Sequence, residues 1–274
     1  MANSTKSIHP KGLYVLFFTE MWERFSYYGM RAIFVLYLAA KATGLNPGAG
    51  WEKADALALY GWYTMMVYVM AVPGGIIADR FLGQKKTVML GGILLCIGHF
   101  ILALDTIQAF YIGCVFIVLG VGALKPNISS MVGSLYRKND PNRTKGFTLF
   151  YIGINIGAFT APLLVGYIGE TINWHYGFGL AGIGMLIGQL VYIWGQKHLK
   201  GIGDFVPKVI DPASGKKAKE PLTKIEKDRM VVLGLTFLIA IIFWGAYEQA
   251  GGLMNLFTKE SVNRSIGSSV VPTS

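Results

Sequence analysis

The chain has 274 residues, 53% of them hydrophobic and only 15% charged, with 35 glycines and a net charge of +10. That balance excludes a water-soluble globular domain and describes a polytopic, all-α membrane protein. The positive charge does not call for nucleic acid as a partner, because the basic residues fall in alternate loops, as membrane topology demands.

Seven apolar stretches are long enough to span a bilayer, at about 12 to 40, 56 to 78, 86 to 105, 107 to 131, 146 to 168, 175 to 196 and 230 to 257. No small-residue cleavage site follows the first, so it reads as a retained span and not a removed signal. It holds Glu20-Met-Trp-Glu23-Arg24-Phe-Ser-Tyr27-Tyr28-Gly29-Met-Arg31, four ionisable side chains inside an apolar run. A charge near the bilayer centre costs roughly 2.5 to 3.5 kcal/mol, so such residues must be paired, wet or useful. At about 100° per residue, Glu20, Glu23, Arg24, Tyr27, Tyr28 and Arg31 share one face, which must line a bundle interior or a cavity. The opposite side, with Leu16, Phe25, Ala32 and Leu36, suits lipid or packing.

In the second span, Tyr68 is a weaker pocket candidate together with Tyr60, while Tyr60 and Tyr63 equally suit interfacial aromatics near the outer surface. Cys96 and Cys114 lie in apolar segments, where a thiol acts as a small hydrophobe, and no disulfide is expected. His99, alone in the third span, reads as a packed residue. Lys125 lies in the inner half of the fourth, beside Pro126, which cannot continue the hydrogen-bond ladder and can kink the helix there. The lysine's long stem can also snorkel to the cytoplasmic face. Asn155, between Gly153 and Gly157, suits either a peptide group or the seam between two helices.

Short loops join the first six spans into one bundle over 1–197. Residues 198–228, with Pro207, Asp211-Pro212-Ala-Ser-Gly215 and Lys216-Lys217-Ala-Lys219, read as a solvated cytoplasmic linker. The seventh span, 229–258, starts after Thr223 and Glu226, which have capping-box spacing. A polar extracytoplasmic tail, 259–274, follows. Eighteen Lys and Arg residues fall on the side of the amino terminus, four on the other, and Arg24, Arg31 and Lys125 inside the membrane. The amino terminus is therefore expected in the cytoplasm.

Three blocks carry a family resemblance. Gly75-Ile-Ile-Ala-Asp79-Arg80-Phe-Leu-Gly83-Gln-Lys85-Lys86 resembles the loop signature of the major facilitator superfamily. The first-span stretch matches every fixed position of the E-x-x-E-R-F-x-Y-Y-G motif of proton-dependent oligopeptide transporters. Phe150-Tyr151-Ile-Gly-Ile-Asn155-Ile-Gly157 and Phe243-Trp244-Gly-Ala-Tyr-Glu248-Gln249 are similar to that family as well. The resemblance implies a six-helix amino-terminal bundle plus the first helix of a second bundle that is otherwise missing from this chain, so that the chain alone is expected to show no uptake.

It further implies that Glu20, Glu23 and Arg24 couple protons. Burial and an adjacent guanidinium act on a carboxyl proton in opposite senses, so small changes in wetting or distance can switch it. A static ion pair that only positions the helix is the alternative. Arg31 cannot lose its charge in practice and is suited to gripping a substrate carboxylate. Tyr27, Tyr28, Tyr68, Asn155 and Trp244 become candidate pocket residues, although aromatics at helical spacing also serve plain packing. The resemblance pairs Lys125 with Glu248 across the two bundles: protonating Glu248 would free Lys125 for a peptide carboxylate. Asp79, Arg80 and Gly83 are expected to be structural or gating.

The reading that results is a symporter of di- and tripeptides with protons, energised by the proton gradient, embedded in the cell membrane and using no cofactor. A symporter of nitrate or another small anion, or a non-transporting half that only binds a partner, are the alternatives. Metal chemistry and enzyme catalysis have no support. His9, His99, His175 and His198 are scattered, and neither a nucleophile elbow nor a phosphate loop occurs.

Overall fold

The computed structural model describes residues 8–206, 222–267 and 269–273. The linker motifs at Pro207 and at 211–219 therefore lie outside the described residues. We call the end of the bundle where α1 begins the entry end, and the other the far end.

Helix α1, Lys11–Ala39, runs through the centre and is buried on nearly every side. Helix α2, Lys53–Val69, continues through α3, Ala71–Ile77, into a π-helical turn, Ala78–Leu82, at the entry end. Helix α4, Gln84–Leu102, returns to the far end, and α5, Ile107–Ser134, crosses back. Helix α6, Asn142–Ala161, passes through a π-helical turn, Pro162–Gly166, into α7, Tyr167–Thr171. Helix α8, Trp174–Gly195, ends in a 3-10 turn, Gln196–His198. Among the described residues, six continuous helical stretches, from Lys53–Leu82 to Lys224–Gly251, are long and apolar enough to cross a membrane. Helix α1 is as long but carries its charges at mid-depth, where only its neighbours can satisfy them.

Local sequence explains the starts. The Thr106 side chain accepts the Ala109 amide at 3.2 Å, and the Asn173 side chain accepts the amides of His175 and Tyr176. Each satisfies amides that a first helical turn otherwise leaves open. Because lipid offers no hydrophobic drive between helices, small residues set the packing. A Cβ on Gly157 would collide with the Met21 carbonyl, and one on Gly188 would lie 2.9 Å from the Trp22 Cβ, so α6 and α8 both touch α1 closely. Pro126 leaves α5 as one continuous helix. The Gly122 carbonyl, which Pro126 cannot satisfy, lies against Gly74 of α3.

After the linker, Thr223 and Glu226 form the capping box that their spacing predicts, and α9 runs over Lys224–Tyr247. None of its residues is buried. The span expected at 229–258 is interrupted: a 3-10 turn, Glu248–Gly251, and Gly252 separate α9 from an amphipathic helix α10, Leu253–Ser261. Gly251 and Gly252 carry the break, since a side chain at Gly251 would strike the Tyr60 hydroxyl. Helix α10 docks on the far end of α1, where Asn255 donates to the Ala32 carbonyl at 2.9 Å. Within the residues expected as a polar tail, Ser265–Ile266 pairs with Ser269–Val270 as a short hairpin, and Thr273 N–H donates to Glu170. The first part of the expected linker is also packed. Leu199 is fully buried, the Lys85 amide donates to the Gly203 carbonyl at 2.9 Å, and Asp204 pairs with the Lys85 ammonium at 3.1 Å.

Candidate functional site

The polar face of α1 is the heart of the structure. Glu20, Glu23 and Arg24 are almost wholly buried at 2%, 0% and 3% exposure. Arg24 Nε bonds to Glu23 Oε2 and lies 3.2 Å from Glu20 Oε1, while its Nη2 donates to Glu23 Oε1 at 2.6 Å. One guanidinium thus serves two carboxylates, a fork geometry that lysine cannot reproduce. Glu20 Oε2 is buried with no hydrogen-bond partner among the described residues. The Arg24 guanidinium carbon also sits 5.3 Å from the Tyr27 ring centre and 6.0 Å from that of Tyr28.

Two turns further along, Arg31 meets the turn that ends α9. Its Nη2 lies 2.7 Å from Glu248 Oε2, and its Nε donates to the Tyr60 hydroxyl at 2.6 Å. That hydroxyl donates in turn to the Glu248 carbonyl at 3.3 Å, and the Tyr68 hydroxyl donates to Glu248 Oε1 at 3.1 Å. The expected Lys125–Glu248 pair is thereby corrected, since Arg31 holds that carboxylate. Lys125 instead places its ammonium 4.9 Å above the Tyr68 ring, within electrostatic reach of Arg24, Glu23, Glu20 and Glu248. The physical reason is the helix break after Tyr247, which puts Glu248 in the 3-10 turn that rests on α1 and α2, beside Arg31 and Tyr60.

Tyr60 matters more than its sequence position suggested. Weighed against an interfacial role, it proves only 5% exposed and is bonded into the ion pair. Tyr60, Thr64 and Tyr68 recur at one-turn intervals along one face of α2, and that spacing is the signal that directs Tyr60 toward Arg31.

Tyr28, Arg31, Asn155 and Trp244 line one cavity of about 480 Å³, joined by Tyr151 and Tyr247. Those last two were missed as wall residues, although Tyr151 precedes Asn155 by one turn and Tyr247 follows Trp244 by three residues, spacings that put each on its neighbour's face. Asn155 keeps its amide nitrogen on the Tyr151 carbonyl at 2.8 Å, a bond that does not use its side-chain oxygen. Tyr68, Glu248 and Trp244 line a second, larger space of about 970 Å³ between α2 and α9. Tyr27 is buried against Tyr28 and lines neither. Asp79 and Arg80 are exposed on the π-helical turn at the entry end, remote from this cluster. Gly83 has φ +77° and abuts the Phe205 amide, so the tight turn there requires glycine. No cluster of metal-ligating side chains occurs among the described residues.

A bundle of membrane-crossing helices around a sealed ionic cluster and a side cavity defines a multi-pass membrane protein of the major facilitator type. Residues 85–215 match the family described as PTR2, POT family, and the chain belongs to that family. It is 37% identical over 310 aligned residues to the uncharacterized transporter YclF of Bacillus subtilis (strain 168), covering 94% of this chain and 62% of that protein. It is 43% identical over 244 residues to the di-/tripeptide transporter of Lactococcus lactis subsp. lactis (strain IL1403), covering 88% of this chain and 47% of that one. The chain therefore spans about half to three-fifths of the length of these relatives. A crystal structure of peptide transporter POT in complex with sulfate superimposes with a TM-score of 0.81 at 32% identity, covering 98% of this chain and 65% of the other.

Proposed function

We propose that the protein carrying this sequence imports di- and tripeptides together with protons by alternating access, with its entry end in the cytoplasm. The observation that carries this reading is the Arg31–Glu248 pair, which ties α1 to the α9 turn at the wall of the 480 Å³ cavity. A proton on Glu248 cancels its charge and releases Arg31, which then faces the cavity as a fixed cation for a peptide carboxylate. Tyr28, Tyr151 and Trp244 offer apolar walls with few demands on side-chain identity, and Asn155 offers a main-chain partner. Lys125 holds the electrostatic balance between the two carboxylate groups. The unpartnered Glu20 Oε2 supports a second proton position beside Arg24. A membrane potential of about 100 mV contributes roughly 2.3 kcal/mol per charge moved inward, enough for one proton to drive appreciable accumulation. The exposed sides of α9 support a second group of helices packing there in the whole protein.

The test is uptake of labelled dialanine, under an inward proton gradient and with unlabelled competitors, into proteoliposomes that hold the whole protein carrying this sequence. Tripeptides and dipeptides are expected to compete, and nitrate and free amino acids to leave uptake unchanged. Competition by nitrate with none by peptides would replace the peptide reading with a small-anion one.

A further inference from the structure

On the side of α1 opposite its polar face, α6 and α8 both pack directly on the helix, α6 over Met21 through Gly157 and α8 over Trp22 through Gly188. Between them one stripe of α1 reaches the surface: Lys11, Tyr14 and Phe18 are exposed, and Met21 and Trp22 partly so. At its inner end the stripe opens into an apolar cavity of about 370 Å³, with Phe25 as floor and Ile156, Thr160, Ile183 and Ile187 among its walls.

We propose that this seam holds an acyl chain of an anionic phospholipid, with the phosphate among the exposed lysines at the entry end. Ten residues separate Lys11 from Met21, about 15 Å of helix, which matches one leaflet of a hydrocarbon core of roughly 30 Å. A chain whose head lies at the membrane surface would therefore end in the cavity. Charge complementarity names the lipid. Lys11 opens the stripe, the 3-10 turn bearing Lys197 packs against the start of α1, and Lys145 stands about three turns from Ile156 on the same face of α6. All three side chains are exposed cations where the headgroup would sit. A zwitterionic headgroup gains less there, and a neutral hydrocarbon has no use for them. The occupant would back the α1 turn whose front carries Glu20, Glu23 and Arg24.

Native mass spectrometry of the purified protein, titrated with phosphatidylglycerol or phosphatidylcholine of matched chains, tests this. One phosphatidylglycerol is expected to bind in clear preference. Lys11→Gln with Lys197→Gln should weaken it by about tenfold while leaving phosphatidylcholine unchanged. Ile183→Trp, which fills the cavity, should reduce binding of both, and Thr160→Phe provides an independent filling variant. Unfolding midpoints without added lipid identify the variants that fold. Equal binding of the two lipids, undiminished phosphatidylglycerol on the double lysine variant, or undiminished binding in a folded seam-filling variant would overturn the proposal. So would a lipid-free dimer, which would assign the seam to a second copy.

Discussion

Arg24 and Arg31 are chemically alike and differently held. Arg24 satisfies two carboxylates in a sealed position, so its removal leaves Glu20 and Glu23 facing each other without a cation. Breaking a buried pair in this way costs about 3–5 kcal/mol. Arg31 borders a cavity and can be replaced by solvent. Arg24→Ala is therefore expected to lower the unfolding midpoint in detergent far more than Arg31→Ala, and equal losses would contradict the contrast between a sealed cluster and a pair that borders a cavity. The polar stripe was legible in the sequence because charges inside an apolar run must be explained. Tyr60 was only half legible, because a tyrosine near the end of a span satisfies the interface rule as well as it satisfies an ion pair. The partner of Glu248 was misread for a related reason: sequence shows which charges must be compensated and leaves open which of two cations lies nearer.

At the scale of elements, glycine decides which helices meet. Gly157 lets α6 approach the Met21 carbonyl, and even a methyl group there must push the two helices apart. Overpacking of this kind costs about 1–3 kcal/mol. Gly61, on α2, has open space where a Cβ would point, and alanine there removes only the conformational cost of glycine in a helix. Gly157→Ala should lower the unfolding midpoint, whereas Gly61→Ala should leave it unchanged or raise it; the same shift in both would show that close approach is not the cause. Hydropathy located the crossing helices and spacing located the α9 capping box. The break at Glu248–Gly252 escaped because the apolar run continues across it into Leu253, and only the Gly251-Gly252 pair marked it. That break sends Glu248 to Arg31 and turns α10 onto the far end of α1.

Across the whole molecule, α1 is the shared wall. One face carries the sealed Glu20–Glu23–Arg24 cluster and, toward the far end, the Arg31–Glu248 link to α9; the other faces the seam between α6 and α8. The charge on Glu248 helps hold α9 to α1 through Arg31, and under the proposed reading a proton on Glu248 loosens that link. The most direct measurement is dialanine transport by Glu248→Gln, which keeps the shape and removes the titrating group. Proton-driven accumulation in proteoliposomes is expected to be lost, while exchange of external for internal dialanine without a gradient persists. Accumulation at the wild-type level by Glu248→Gln would contradict coupling through the Arg31–Glu248 pair.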